Sequence, residues 1–226
     1  MKPITVILAD DHAIVREGFR GLLALEDDIE VIAEAKTGRE AVRLVKELVP
    51  AVVVMDLAMP LLNGLEATQQ ILQALPATRV LILSAYGDDA YVDQAAELGV
   101  AGYLVKQASA AILPLAIREV HKGNTYYSPA VSDRLRERQR TDPCGKSGRL
   151  KKRVANLTSR EVEVLQLVAE GLANKQSAAE LGISVKTIEK HRQSLMRKLD
   201  IHDTAGLTRY AIAAGIIESG VRMTIK

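Results

Sequence analysis

Over the first 125 residues, apolar runs of strand length alternate five times with amphipathic stretches of helical period. No other feature of the chain constrains its fold as tightly. The runs are Thr5–Ala9, Val31–Ala35, Ala51–Met55, Val80–Ser84 and Gly102–Val105. The helical stretches fall at about 13–25, 38–48, 65–75, 89–98 and 109–122. Five β-α units in succession predict an α/β fold, a doubly wound parallel sheet of five strands with helices on both faces. The runs are nearly all apolar, as strands covered on both faces should be. In such sheets ligands bind beyond the carboxyl ends of the strands, so the chemistry is expected there.

The pattern then breaks. Residues 126–156 have few apolar side chains and many Arg and Lys, with Pro143, Gly145 and Gly148 as breakers, and read as a flexible linker whose part near 129–140 could extend a helix. Residues 157–226 show only helical periods. The expected organisation is an N-terminal domain over 1–125, a basic linker over 126–156 and an all-α domain over 157–226. Charge divides in the same way. Residues 1–125 hold 11 Lys and Arg against 17 Asp and Glu, and residues 126–226 hold 19 against 11. An acidic half joined to a basic half suggests a polyanion partner for the second. Most of the excess lies in residues 134–153, with nine basic residues against Glu137 and Asp142, so charge alone does not mark the binding surface. No apolar run approaches the ~20 residues that cross a bilayer. The N-terminal run ends in two aspartates, without the longer apolar stretch and small-residue cleavage site of a signal peptide. The expectation is a cytoplasmic protein with no membrane association. Cys144, the sole cysteine, excludes an intrachain disulfide or a cysteine metal site and reads as a free thiol in the linker.

Polar residues punctuate the strand ends. Asp10 and Asp11 follow the first run, Asp56 the third, Ser84 ends the fourth and Lys106 follows the fifth. On one edge of a parallel sheet, three carboxylates, a hydroxyl and an ammonium would converge. Three close carboxylates repel and call for a cation, and oxygen ligands with room for waters suit Mg²⁺. Such a site lets an anionic phosphoryl group approach a carboxylate nucleophile. Lys106 and Ser84 could meet phosphoryl oxygens. His12 has no second His or Cys at ligand spacing and reads as a surface or capping histidine.

Asp10-Asp11, Met55-Asp56-Leu57-x-Met59-Pro60, Asn63-Gly64, Ser84-Ala85 and Lys106 resemble the signature set of response-regulator receiver domains, over about residues 1–122. The resemblance implies a flavodoxin-like fold with Asp56 as phosphoacceptor. It implies Asp11 as direct metal ligand with Asp10 in support, and Asp56 and the Ala58 carbonyl completing the protein's share of the Mg²⁺ site. Tyr103 matches the switch aromatic, which turns inward when Ser84 moves toward the phosphoryl group. Gln107 stands where many receivers have proline, which leaves the isomer of the Lys106–Gln107 bond in question.

In the C-terminal part, Thr158-Ser159-Arg160-Glu161 is a capping box, and Gly171 ends the helix it opens. A short helix over about Lys175–Leu181, the turn Gly182-Ile183-Ser184 and a helix over about 185–199 form a helix-turn-helix pattern. At ~100° per residue, Ile188, Leu195 and Leu199 share a core stripe, opposite Lys186, Lys190, Gln193 and Arg197 with Glu189 beside them. Such a face suits a major groove, with Thr187 placed for a phosphate contact. Arg192 lies nearer the core side, so its stem should pack and its head reach outward. Leu157–Ala211 resembles the LuxR-type helix-turn-helix of NarL-class response regulators, through Leu157-Thr158-x-Arg160-Glu161-x-Glu163-Val164-Leu165, Gly171, Asn174-Lys175, Ile183-Ser184-x-x-Thr187-Ile188-x-x-His191 and Arg197-Lys198-Leu199. The resemblance places Glu189, Lys190 and Gln193 at base-contacting positions. Ser177 departs from the pattern, standing where the family usually packs an apolar residue.

Together the two resemblances imply a phosphorylation-controlled transcription regulator and not an enzyme. The implied partners are a sensor histidine kinase as donor, double-stranded promoter DNA, a second copy of the chain on phosphorylation, and RNA polymerase. A haloacid-dehalogenase-type phosphatase would want an aspartate at position 58, which is Ala58. A flavin carrier would not place acidic residues after its first strand. A DNA-binding protein independent of phosphorylation remains a third reading.

Overall fold

A computed structural model of the chain describes residues 2–85, 89–129, 131–132 and 157–217. The chain divides into two compact units, Met1–Pro143 and Cys144–Lys226. Most of the expected linker, with Cys144 and the basic run at 134–153, lies outside the described residues.

The first unit is built on strands β1 (Ile4–Ala9), β2 (Ile29–Ala35), β3 (Val52–Met55), β4 (Arg79–Ser84) and β5 (Gly102–Val105). Between and after them run helices α1 (Ala13–Leu23), α2 (Gly38–Leu48), α3 (Gly64–Ala74), α4 (Asp89–Leu98) and α5 (Lys106–His121). A further strand, β6 (Tyr126–Tyr127), pairs in parallel with β5. The sheet therefore has six strands, in the order β2-β1-β3-β4-β5-β6, rather than the five that the apolar runs predict. Two residues are too few to show a strand period, and at the sheet edge β6 needs no apolar run. The stretch expected to open the linker thus begins inside the fold. Val131, just beyond β6, is fully buried beside Tyr103 in the core.

Each strand sends alternate side chains to opposite faces. Ile7, Val53, Met55, Val80 and Ile82 join α2, α3 and α4 in one core, and Val6, Val52, Val54, Leu81 and Leu83 join α1 and α5 in the other. Thr37 and Asn63 cap α2 and α3 through their side-chain oxygens, which accept the backbone N–H of Glu40 and Glu66. The order reverses at β1, whose neighbours are β2 and β3. A crevice opens at such a reversal, beyond the carboxyl ends of β1 and β3.

The second unit holds α6 (Ser159–Ala169), α7 (Asn174–Leu181), α8 (Val185–Leu199) and α9 (Thr204–Ala213) among its described residues. Thr158 and Glu161 form both bonds of the capping box. Gly182, at φ 62°, closes α7 in the left-handed region that glycine enters without strain. Ser184 then caps α8, accepting the Thr187 N–H at 3.1 Å. Leu165, Val168, Leu181, Ile188, Leu195, Leu199 and Leu207 make the core. The stripe read from the sequence, Ile188, Leu195 and Leu199, is the buried face of α8.

Candidate functional site

The parallel register brings the predicted acidic residues together. Ala9 pairs with Met55, so Asp10 and Asp56 leave adjacent strands side by side. Ser84 pairs with Val105, which sets Ser84 beside the residue before Lys106. Asp10, Asp56 and Ser84 are buried. Lys106 Nζ bridges Asp10 Oδ2 at 2.7 Å and Asp56 Oδ2 at 2.8 Å. The other oxygen of Asp56 accepts the Leu57 N–H at 2.8 Å.

The loop after β3 explains the Asn63-Gly64 pair. Gly64 donates its N–H to the Leu57 carbonyl at 2.9 Å, and a Cβ there would lie 1.9 Å from the Asp56 carbonyl oxygen. Only glycine lets α3 begin so close to the end of β3. Ala58 lies in this loop, partly exposed.

Burial pushes the Asp56 carboxyl up to about 6; Lys106 opposes the rise, while Asp10 and Asp11 add to it. Burial alone would lower Lys106, but the Asp56 and Asp10 carboxylates outweigh it and raise the ammonium above its ordinary value. The result is a largely buried acidic cluster in which one lysine bridges two of three carboxylates.

Ligand atoms of Asp10, Asp11, Asp56 and His12 all lie within 4.8 Å of one another. Three carboxylates at that spacing fit a hard divalent cation. His12 corrects the sequence expectation in part. It is exposed, and it sits at the N-cap of α1, yet its side chain makes no capping bond. Its Nδ1 instead approaches Asp11 Oδ1 at 2.8 Å and Asp10 Oδ1 at 3.1 Å. A search for ligand spacing among His and Cys alone overlooks a histidine set against carboxylates.

Tyr103 is fully buried in the core with Val92, Ala95, Val100 and Val131. No peptide bond among the described residues is cis, including Lys106–Gln107. With glutamine rather than proline there, α5 starts at Lys106, three residues before the sequence period suggests.

In the second unit, Lys186, Glu189, Lys190, Gln193 and Arg197 are exposed on α8 and Thr187 is half-buried. The Thr187 hydroxyl lies 2.8 Å from Ser184 Oγ. Arg192 is held more firmly than expected, donating to Asn174 Oδ1 at 3.2 Å and Thr204 Oγ1 at 2.7 Å. Its head ties α8 to α7 and α9 instead of reaching free into solvent. Lys198 donates to Glu161 Oε2 at 2.6 Å, joining the end of α8 to the capping box of α6.

Ser177 is buried on α7 and its hydroxyl has no hydrogen-bond partner among the described residues. A buried hydroxyl without a partner is costly. Ser177→Ala is expected to raise the stability of this unit by about 1 kcal/mol, because it removes that hydroxyl and favours the helix. A denaturant midpoint that does not rise in the variant would show the hydroxyl to be satisfied.

Comparison with known proteins agrees with both halves. Residues 6–118 match the response regulator receiver domain, and residues 155–211 match the bacterial regulatory proteins of the luxR family. The oxygen regulatory protein NreC of Staphylococcus haemolyticus is 38% identical over 218 residues, covering 94% of this chain and 99% of its own. The RcsB response regulator of Salmonella typhimurium aligns with TM-score 0.57 at 28% identity, covering 94% of this chain and 100% of the other. A structure of an RcsB–DNA complex aligns with TM-score 0.57 at 27% identity, over 92% and 98% of the two chains. Among the described residues, no helix is long and apolar enough to cross a membrane. The chain belongs to the response regulators that carry a LuxR-type helix-turn-helix: it is a two-component response regulator and DNA-binding transcription factor.

Proposed function

We propose that Asp56 accepts a phosphoryl group from a sensor histidine kinase in a Mg²⁺-dependent reaction, and that this controls binding of α8 to promoter DNA. The observation that carries the reading is the bridge from Lys106 Nζ to Asp10 and Asp56, at 2.7 and 2.8 Å, in a buried acidic pocket at the sheet's carboxyl edge. Asp10, Asp11 and Asp56 would hold the cation, with the Ala58 carbonyl as the backbone ligand and His12 beside them. A bound Mg²⁺ would offset the carboxylate charge and admit an anionic donor. Asp56, held ionised by the cation's charge, supplies the nucleophilic oxygen. Lys106 is released from Asp56 to pair with a phosphoryl oxygen, and Ser84 donates to another.

The output follows from the edge of the sheet. Ser128 donates its N–H to the Tyr103 carbonyl at 3.0 Å, and Tyr127 and Val131 pack in the core that holds Tyr103. A shift at Ser84 and Tyr103 would therefore move the root of the segment leading to the second unit. The domains are taken as 1–125, 126–156 and 157–226, with the first residues of the linker, β6 through Val131, folded onto the first domain. Lys186, Thr187, Glu189, Lys190, Gln193 and Arg197 are the groove-facing set, with Glu189, Lys190 and Gln193 toward bases. Dimerisation on phosphorylation sets two such helices on successive half-sites, and RNA polymerase is the downstream partner. The protein acts in the cytoplasm as a regulator, not as an enzyme.

The test is phosphoryl transfer from acetyl phosphate with Mg²⁺, followed by intact mass, with DNA affinity measured on the same samples. The expected result is gain of one phosphoryl group together with tighter DNA binding. Uptake at unchanged affinity would sink the coupling. DNA binding without uptake would favour a phosphorylation-independent regulator.

A further inference from the structure

We propose that Arg16 is a positioning residue for the cation site, holding the Asp10–Asp11 turn in the geometry that binds metal. Arg16 lies on the first turn and a half of α1 and is buried despite its charge. Its Nη1 donates to the Asp10 carbonyl oxygen at 2.7 Å, and its Nε pairs with Glu34 Oε2 at 3.1 Å. Glu34 neighbours Ala35 on β2, and the Ala35 carbonyl accepts the Asp10 N–H at 3.1 Å. Both ends of the Asp10 residue are therefore fastened to consecutive residues of β2, one directly and one through the guanidinium. The next residue is Asp11, where the chain has left the sheet and no ladder fixes it. A planar fork spans two acceptors in fixed directions, which an ammonium cannot do.

The geometry and the charge of Arg16 pull metal affinity in opposite directions. A buried cation against the Asp10 backbone repels a nearby Mg²⁺, so by charge alone its removal would tighten binding. A positioning role requires the reverse, because groups that orient metal ligands typically contribute an order of magnitude or more in affinity. Arg16→Lys keeps the charge and loses the fork, so on the charge account it changes little.

The inference rests on the cation site proposed above. The experiment follows the melting midpoint of the full-length chain against Mg²⁺ concentration, for wild type, Arg16→Ala and Arg16→Lys, with the Mg²⁺-free midpoint recorded for each. Mg²⁺ alone is the probe, and the dependence of the midpoint on its concentration gives the affinity. Both variants are expected to need roughly ten-fold more Mg²⁺ than wild type for the same rise. Should Arg16→Ala fail to fold, Arg16→Lys carries the comparison. A lower Mg²⁺-free midpoint with an unchanged Mg²⁺ dependence would mean a merely structural arginine and overturn the inference. Tighter binding by Arg16→Ala would likewise overturn it in favour of charge. A wild type indifferent to Mg²⁺ would overturn the cation site itself, and this inference with it.

Discussion

Asp56→Asn is expected to abolish phosphoryl uptake and, in metal-free buffer at pH 8, to make the first unit more stable than wild type by about 3 kcal/mol. The two effects share one cause. Asp56 is 3% exposed, and burial lifts its carboxyl from 3.8 to about 6. A raised carboxyl means that the folded state favours the neutral form. The stability linked to that form is complete below about 3.8 and is lost as pH rises through about 6. Asparagine stays neutral at every pH and escapes the loss. A shift of this size corresponds to about 3 kcal/mol, at roughly 1.4 kcal/mol per unit. The difference between variant and wild type should vanish near pH 4, open between pH 4 and 6, and level off by pH 8. Denaturant unfolding at several pH values in chelator reads it directly. Adding Mg²⁺ should narrow the gap by stabilising the ionised carboxylate of wild type. A gap independent of pH would refute the assignment of an energetically strained carboxylate at Asp56.

The residues of this pocket were legible in the sequence because each interrupts an apolar run where a strand ends. Asp10, Asp56 and Lys106 follow β1, β3 and β5 directly, and parallel pairing carries strand ends to one edge without further information. The helix-turn-helix was legible for a different reason: Thr158, Gly182 and Ser184 act locally, within four residues of their partners. What stayed hidden depends on distant partners. Arg16 reads as a solvated residue on an amphipathic helix until Glu34 comes beside it from β2. Lys198 has the same ambiguity, since its partner Glu161 is 37 positions away in the chain. β6 was hidden because its two residues carry no period and are held by the exposed edge of β5. There Gly102 leaves room for the Tyr126 carbonyl, which a Cβ would approach to 2.3 Å.

Glu161→Gln is expected to destabilise the second unit by about 2 kcal/mol at pH 7, with a pH dependence opposite in sign to that of Asp56. The Glu161 carboxylate is buried, which alone would raise its pKa. Lys198, the Thr158 backbone N–H, and the Ser194 and Thr158 side chains overcome that and hold it down at about 2. A lowered carboxyl contributes stability that is complete above about 4.5 and is lost as pH falls toward 2. The full shift would correspond to about 3 kcal/mol, but Lys198 keeps 33% of its side chain in solvent, so screening reduces the figure to about 2. Glutamine can still cap the helix, so the loss reports mainly the link between α6 and the end of α8. Hydrogen exchange along α6 and α8 should show faster opening in the variant at pH 7, and unfolding near pH 2 should show no difference. Equal protection at both pH values would mean that the pair adds nothing to the fold. Because the same bond fixes the last turn of α8, the helix proposed to enter the groove, a loosened α8 should also bind DNA more weakly while the proposed chemistry at Asp56 is untouched. Acidification therefore relieves the N-terminal unit at Asp56 and strips the C-terminal unit at Glu161.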